Sequence, residues 1–166
     1  MKNYKKNLEL LTSNHVYSKE MEHDACGVGL ITSTEGKKSR AIVEYGIEAL
    51  KAVWHRGAVD ADGKTGDGAG IHVEIPKDFF IEKIQVTGHD YDNSEICVGM
   101  IFLPRNDYSA QENCKTIVES ELTKNNFSIY GWRQVPVNPK ILGEKALQTM
   151  PEIIQVLFKS NDPNLL

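Results

Sequence analysis

Cys26 heads a short run of small and apolar residues, Cys26-Gly27-Val28-Gly29-Leu30-Ile31. The glycines on either side of Val28 leave room for backbone or a ligand to approach closely. A short apolar run of this kind, closed by polar residues, predicts a strand from about Cys26 to Ser33. Thr34-Glu35-Gly36-Lys37 then predicts a turn, with Gly36 free to take positive φ. On these residues alone, Cys26 reads as a buried cysteine opening a core strand, because free cysteine is among the most buried residue types.

The rest of the chain predicts alternating helices and strands. Ser39 is an N-cap candidate, and Val43, Ile47, Leu50 and Trp54 make one apolar stripe of a helix that Gly57 would end. Ile71, Val73 and Ile75 alternate as a strand, and Pro76 opens a helix through Phe79, Phe80 and Ile84. Ile96 to Leu103 predicts a buried strand. Asp107 or Ser109 starts a helix with Cys114, Ile117, Val118, Glu121 and Leu122 on one face. Phe127 to Val137 predicts a strand interrupted at Gly131 and Pro136. A short helix over 143–150 and a last strand from Ile153 to Phe158 complete an α+β chain.

Several function classes find no support. The 166 residues carry a net charge of -4 and no basic block, so nucleic acid is not an expected partner. No run reaches the length of a membrane span, and no signal-type apolar stretch follows Lys2, Lys5 and Lys6. Cys26, Cys97 and Cys114 lie far apart and are odd in number, which fits a reducing cytoplasm better than a disulfide framework. No metal is expected, since no HxxxH or HExxH spacing occurs. Cys97 and Cys114 read as packing residues, Trp132 as core and Arg133 as surface.

Downstream of the cysteine stand Trp54-His55-Arg56-Gly57 and the glycine-rich stretch Asp62-Gly63-Lys64-Thr65-Gly66-Asp67-Gly68-Ala69-Gly70. By composition the latter is a set of turns, and it lacks the GxxxxGK[ST] order of a phosphate loop. Together with Asp24-Ala25-Cys26-Gly27-Val28-Gly29, these stretches resemble the class II glutamine amidotransferase domain of glutamate synthases, which are N-terminal-nucleophile hydrolases. Gly131-Trp132-Arg133-Gln134-Val135-Pro136, Leu142-Gly143 and Pro151-Glu152-Ile153-Ile154-Gln155 extend the likeness over nearly all of the chain after Glu22.

The resemblance implies a four-layer αββα sandwich, of which this chain would supply a part. Residues 1–25 would be a leader and residues 26–166 a truncated amidotransferase domain. In that family the cysteine becomes residue one, and its freed α-amino group, with a pKa of about 8, takes the thiol proton. With residues 1–25 attached, the nitrogen of Cys26 is an amide and cannot act as a base. The arginine of His-Arg-Gly, here Arg56, would grip the α-carboxylate of L-glutamine through its planar fork. Gly66, Asp67 and Gly68 form a candidate active-site loop. His55 reads as structural.

The family's oxyanion hole is an Asn-Gly pair in a segment like H-N-G-E-I-N, and no Asn-Gly dipeptide occurs in this sequence. One lost oxyanion donor typically costs ~10²–10³ in rate. Two expectations follow. In the first, the chain is a glutaminase part that hydrolyses L-glutamine to glutamate and ammonia when a second polypeptide completes it, with no cofactor. In the second, it is an inactive remnant that at most binds a partner, through a sheet face or edge left uncovered.

Overall fold

A computed structural model describes Lys6, residues 27–53 and residues 57–162. Its frame is a three-stranded antiparallel sheet of β1 (Cys97–Leu103), β2 (Phe127–Gln134) and β3 (Glu152–Ser160), in the order β1-β3-β2. The last of these strands in sequence is therefore the central one. Cys97 pairs with Phe158 and Leu103 with Glu152 on one side of β3; Phe127 pairs with Ser160 and Gln134 with Ile154 on the other. The β2 register shifts between Ile129 and Gly131, where the sequence already signalled an interruption.

Among the described residues, the helices that accompany the sheet are α1 (Arg40–Ala52), α2 (Lys77–Val86), α3 (Tyr108–Lys124) and α4 (Glu144–Thr149). The starts follow local chemistry. The Ser39 side chain accepts from the Ala41 amide at 3.2 Å, and Asp107 accepts from the Ala110 amide at 2.9 Å, so each satisfies an amide with no partner within its helix. Pro76 precedes α2, where a missing N–H costs nothing.

The core lies between α2 and one face of the sheet. Phe80 and Ile84 of α2 meet Ile96, Tyr130 of β2 and Leu157 of β3, and Val98 packs against them. The other face carries α3, joined to β2 by a hydrogen bond from Trp132 Nε1 to Glu119 at 2.6 Å. Trp132 and Arg133 are both half-buried, Arg133 donating to Gln155 Oε1 at 2.5 Å. The α2 helix covers only one end of its face. Met100 is 47% exposed and Phe102 63% exposed, and alternation along β1 puts both on the side of Val98.

The structure corrects several expectations. Residues 27–32 form no strand; Val28 is 92% and Leu30 88% exposed, because this run pairs with no other backbone among the described residues. Ile71, Val73 and Ile75 are likewise unpaired. Their segment instead runs beside α1, where Gly46 faces the Ile71 side chain and Lys38 pairs with Glu74 at 3.1 Å. The α1 helix ends at Ala52 with Val53 as its C-cap, ahead of Gly57, and its stripe Val43, Ile47 and Leu50 is half-buried. On α3 the inward face runs through Gln111, Cys114, Val118 and Leu122, and Ile117 turns outward at 62% exposure. Gln111 is buried because its side-chain amide donates to the carbonyls of Pro104 at 2.7 Å and Arg105 at 3.3 Å.

The segment before β1 is tied to the sheet electrostatically. Asp92 accepts from the Tyr130 hydroxyl at 3.0 Å and pairs with Lys159 of β3. The Lys159 ammonium, then Ser94 and the Tyr130 hydroxyl, hold the Asp92 carboxyl well below the ordinary carboxylate range. A carboxyl whose folded-state pKa is depressed contributes stability above its unfolded value of about 3.9 and loses it as pH falls toward the folded value. The urea midpoint of the wild-type chain should therefore fall more steeply between about pH 5 and about pH 2 than that of Asp92→Asn. Parallel pH profiles for the two proteins would show that the Asp92 contacts do not hold the fold.

Candidate functional site

Of the residues singled out from the sequence, Gly66, Asp67 and Gly68 are described, whereas Cys26, Trp54, His55 and Arg56 lie outside the described residues. Ala58 to Asp67 form a hairpin. Val59 bridges Gly66 in antiparallel fashion, the Asp60 amide donates to the Thr65 carbonyl at 2.7 Å, and the Asp67 amide donates to the Ala58 carbonyl at 3.2 Å. The Asp67 carboxylate closes the same pair, accepting from the Ala58 amide at 2.9 Å. Asp67 thus has a structural task whatever else it does. A side chain at 66 would stand 2.9 Å from the Ala58 carbonyl oxygen, so this crossing requires glycine.

The tip of the hairpin is organised by Asp62. One carboxylate oxygen accepts from the amides of Lys64 at 2.9 Å and Thr65 at 2.7 Å; the other accepts from the Thr65 hydroxyl at 2.5 Å. This is an aspartate-led turn, with Gly63 at φ +68° completing it. The Thr65 hydroxyl, then the Lys64 and Thr65 amides, hold the Asp62 carboxyl below its ordinary range, and the Glu144 amide adds to the effect.

That last donor belongs to another part of the chain. The N-cap of α4 is Gly143, which has no side chain with which to cap the helix. The hairpin tip occupies the place a capping side chain would fill. Asp62 faces the Glu144 amide, Thr65 Oγ1 lies 3.5 Å from the Ala146 amide, and Lys145 pairs with Asp60 at 2.6 Å. Asp60, Asp62, Thr65, Gly143 and Lys145 form a contact that hydropathy could not reveal, because its halves are about 80 residues apart. The only sequence trace is an aspartate and a threonine with capping chemistry at a hairpin tip, and a glycine where α4 needs a cap.

Other chemistry is sparse among the described residues. Burial, then the nearby Glu95, pushes the Cys97 thiol up, which leaves little thiolate at neutral pH. No group of three or more metal-ligating side chains occurs among the described residues, and none of their helices is long and apolar enough to cross a membrane. A groove of about 360 Å³ beside α3 is lined by Arg105, Lys115, Trp132 and Glu152 among others, and no hairpin residue lines it.

The family model for class-II glutamine amidotransferases matches residues 26–164. The chain is 55% identical over 158 residues to the glutamate synthase (NADPH) large chain of Azospirillum brasilense, covering 95% of this chain and 10% of that protein. It is 38% identical over 154 residues to the ferredoxin-dependent glutamate synthase of Pyropia yezoensis, covering 92% of this chain and 10% of that one. With the glutamate synthase (NADH) of Saccharomyces cerevisiae the identity is 39% over 149 residues, 86% of this chain and 7% of the relative. The chain thus spans a tenth or less of the length of these curated relatives.

The close crossing at Gly66 generates a local test. In Gly66→Ala the new methyl group must push Ala58 away, at a cost on the order of 1–3 kcal/mol for a forced overpacking. Because the hairpin is exposed, this should speed amide exchange at Asp60 and Asp67 by about tenfold or more. Exchange in β3 should stay unchanged. Equal exchange at Asp60 and Asp67 in both proteins would show that the crossing tolerates a side chain.

Proposed function

The chain belongs to the class-II glutamine amidotransferases, and on that premise we propose that it carries the nucleophile part of a glutaminase site, with Cys26 as nucleophile and Arg56 as the clamp on the substrate α-carboxylate. The observation that carries this reading is where the family match begins: at Cys26 itself. A match beginning there fits a chemistry in which the cysteine is the first residue of the working enzyme.

Released by cleavage of the Ala25–Cys26 bond, the α-amino group of Cys26 takes the thiol proton. The thiolate attacks the side-chain amide carbon of L-glutamine. The tetrahedral intermediate expels ammonia, which leaves with the transferred proton, and a thioester to the glutamyl group remains. Water hydrolyses the thioester to glutamate and regenerates the thiol. Arg56 supplies two parallel donors to the α-carboxylate, which fixes the amide over the sulfur. The oxyanion donors come from outside these 166 residues, in keeping with the absence of an Asn-Gly dipeptide. The half-covered sheet face at Met100 and Phe102 supports an αββα arrangement in which another layer lies against it. The same exposed face is the one observation that favours the second reading, a non-catalytic partner-binding module.

A chloroketone analogue of L-glutamine separates these readings, because thiolate displacement of chloride needs no oxyanion hole. In a chain beginning at Cys26 the reagent should label Cys26 ahead of Cys97 and Cys114, and excess L-glutamine should slow that labelling about tenfold or more. Uniform labelling of the three cysteines, unaffected by L-glutamine, would overturn the glutaminase reading.

A further inference from the structure

The contact between the hairpin tip and α4 does more than tidy a helix end. Gly143 is buried, and a Cβ built on it would lie 2.1 Å from Thr65 Oγ1, 2.4 Å from Asp62 Oδ2 and 2.4 Å from the Thr65 amide nitrogen. Two of these atoms belong to side chains that could swing away. The third is backbone, so any side chain at 143 must move the hairpin itself. Among the described residues, the other attachment at its tip is the Lys145–Asp60 pair, whose lysine is exposed. An ion pair of that kind is worth little alone. Gly143 lies between the 3-10 turn Pro139–Ile141 and α4, and α4 leads into the central strand β3. The hairpin is therefore held against a connection that runs straight into the central strand of the sheet.

We propose that Gly143 is a positioning residue: by presenting no side chain, it lets Asp62 and Thr65 cap α4 across the fold, and this seat fixes the Gly66-Asp67-Gly68 loop at the glutamine site. The proposal rests on the glutaminase reading above. Gly143 touches no substrate. It acts through Thr65, which is one residue from Gly66, and through the hairpin ladder that ends at Asp67. The expected consequence is selective. A displaced loop weakens recognition of a glutamine-shaped reagent and leaves the intrinsic reactivity of the Cys26 thiol unchanged.

The test compares two alkylating reagents on the chain beginning at Cys26, with reaction at Cys26 read by peptide mass spectrometry. The chloroketone analogue of L-glutamine carries the α-carboxylate and α-amino groups; iodoacetamide carries neither. The ratio of the two rates measures recognition and cancels changes in thiol reactivity. Gly143→Ala should lower the ratio about tenfold or more, at an unchanged iodoacetamide rate. Thr65→Val, which keeps the volume and removes the hydroxyl, should lower it in the same direction, and Thr65→Ser should restore it. Thr65→Val also keeps the test decisive should Gly143→Ala fail to fold. Arg56→Ala reports on the underlying reading. A ratio that falls in Arg56→Ala but is unchanged in Thr65→Val and in any folded Gly143→Ala protein would overturn the positioning role and leave the glutaminase reading standing. A ratio unchanged in Arg56→Ala would remove the reading, and the proposal with it.

Discussion

The sheet and the core beneath it depend on β3 lying between β1 and β2. Among the described residues, both outer strands exist as sheet only through their hydrogen bonds to this segment. Its side chains serve both faces at once: Leu157 is sealed under α2 with Ile84 and Tyr130, while Ile154 and Val156 lie on the side of α3. The pairing is non-local, so the chain must bring residues 152–160 back between two strands made much earlier. Such closure is slow compared with helix formation, and it leaves the inner edges of β1 and β2 unpaired until it is complete. A substitution that weakens β3 would therefore loosen the sheet on which α2 and α3 pack.

The hairpin shows how an exposed loop can be held without being buried. The Asp62 carboxylate serves its own turn and the Glu144 amide of α4, and the Thr65 hydroxyl faces the Ala146 amide. The helix needs a cap, the turn needs an anchor, and glycine at 143 is the condition for meeting both needs. Precision at a catalytic site depends on such supporting contacts as much as on the residues that touch substrate.

Local features were legible in the sequence, and pairings were not. Ser39 and Asp107 announce helix starts because a cap acts within three residues of itself. The strand segments around 97–103, 127–134 and 152–160 were visible as apolar runs, but nothing local says that the third inserts between the first two. The runs at Val28–Ile31 and Ile71–Ile75 have strand-like patterns and make no strand, because alternation describes a face and cannot supply a partner. Gln111 was passed over for a related reason: its burial follows from two backbone carbonyls at the head of α3, which hydropathy does not register. In the hairpin, Gly66 and Asp67 stood out by pattern, whereas Asp62, Thr65 and Gly143 matter through a contact across the fold.

The central claim is that this chain carries the nucleophile of a glutaminase and takes its oxyanion donors from elsewhere. Ammonia release from L-glutamine tests it most directly, using a chain that begins at Cys26 and its Cys26→Ala counterpart. The account predicts that the chain alone releases ammonia no faster than Cys26→Ala. Addition of a polypeptide carrying the Asn-Gly segment of a relative should raise release only when Cys26 is present. Robust Cys26-dependent release by the chain alone, or release on addition that persists in Cys26→Ala, would contradict it.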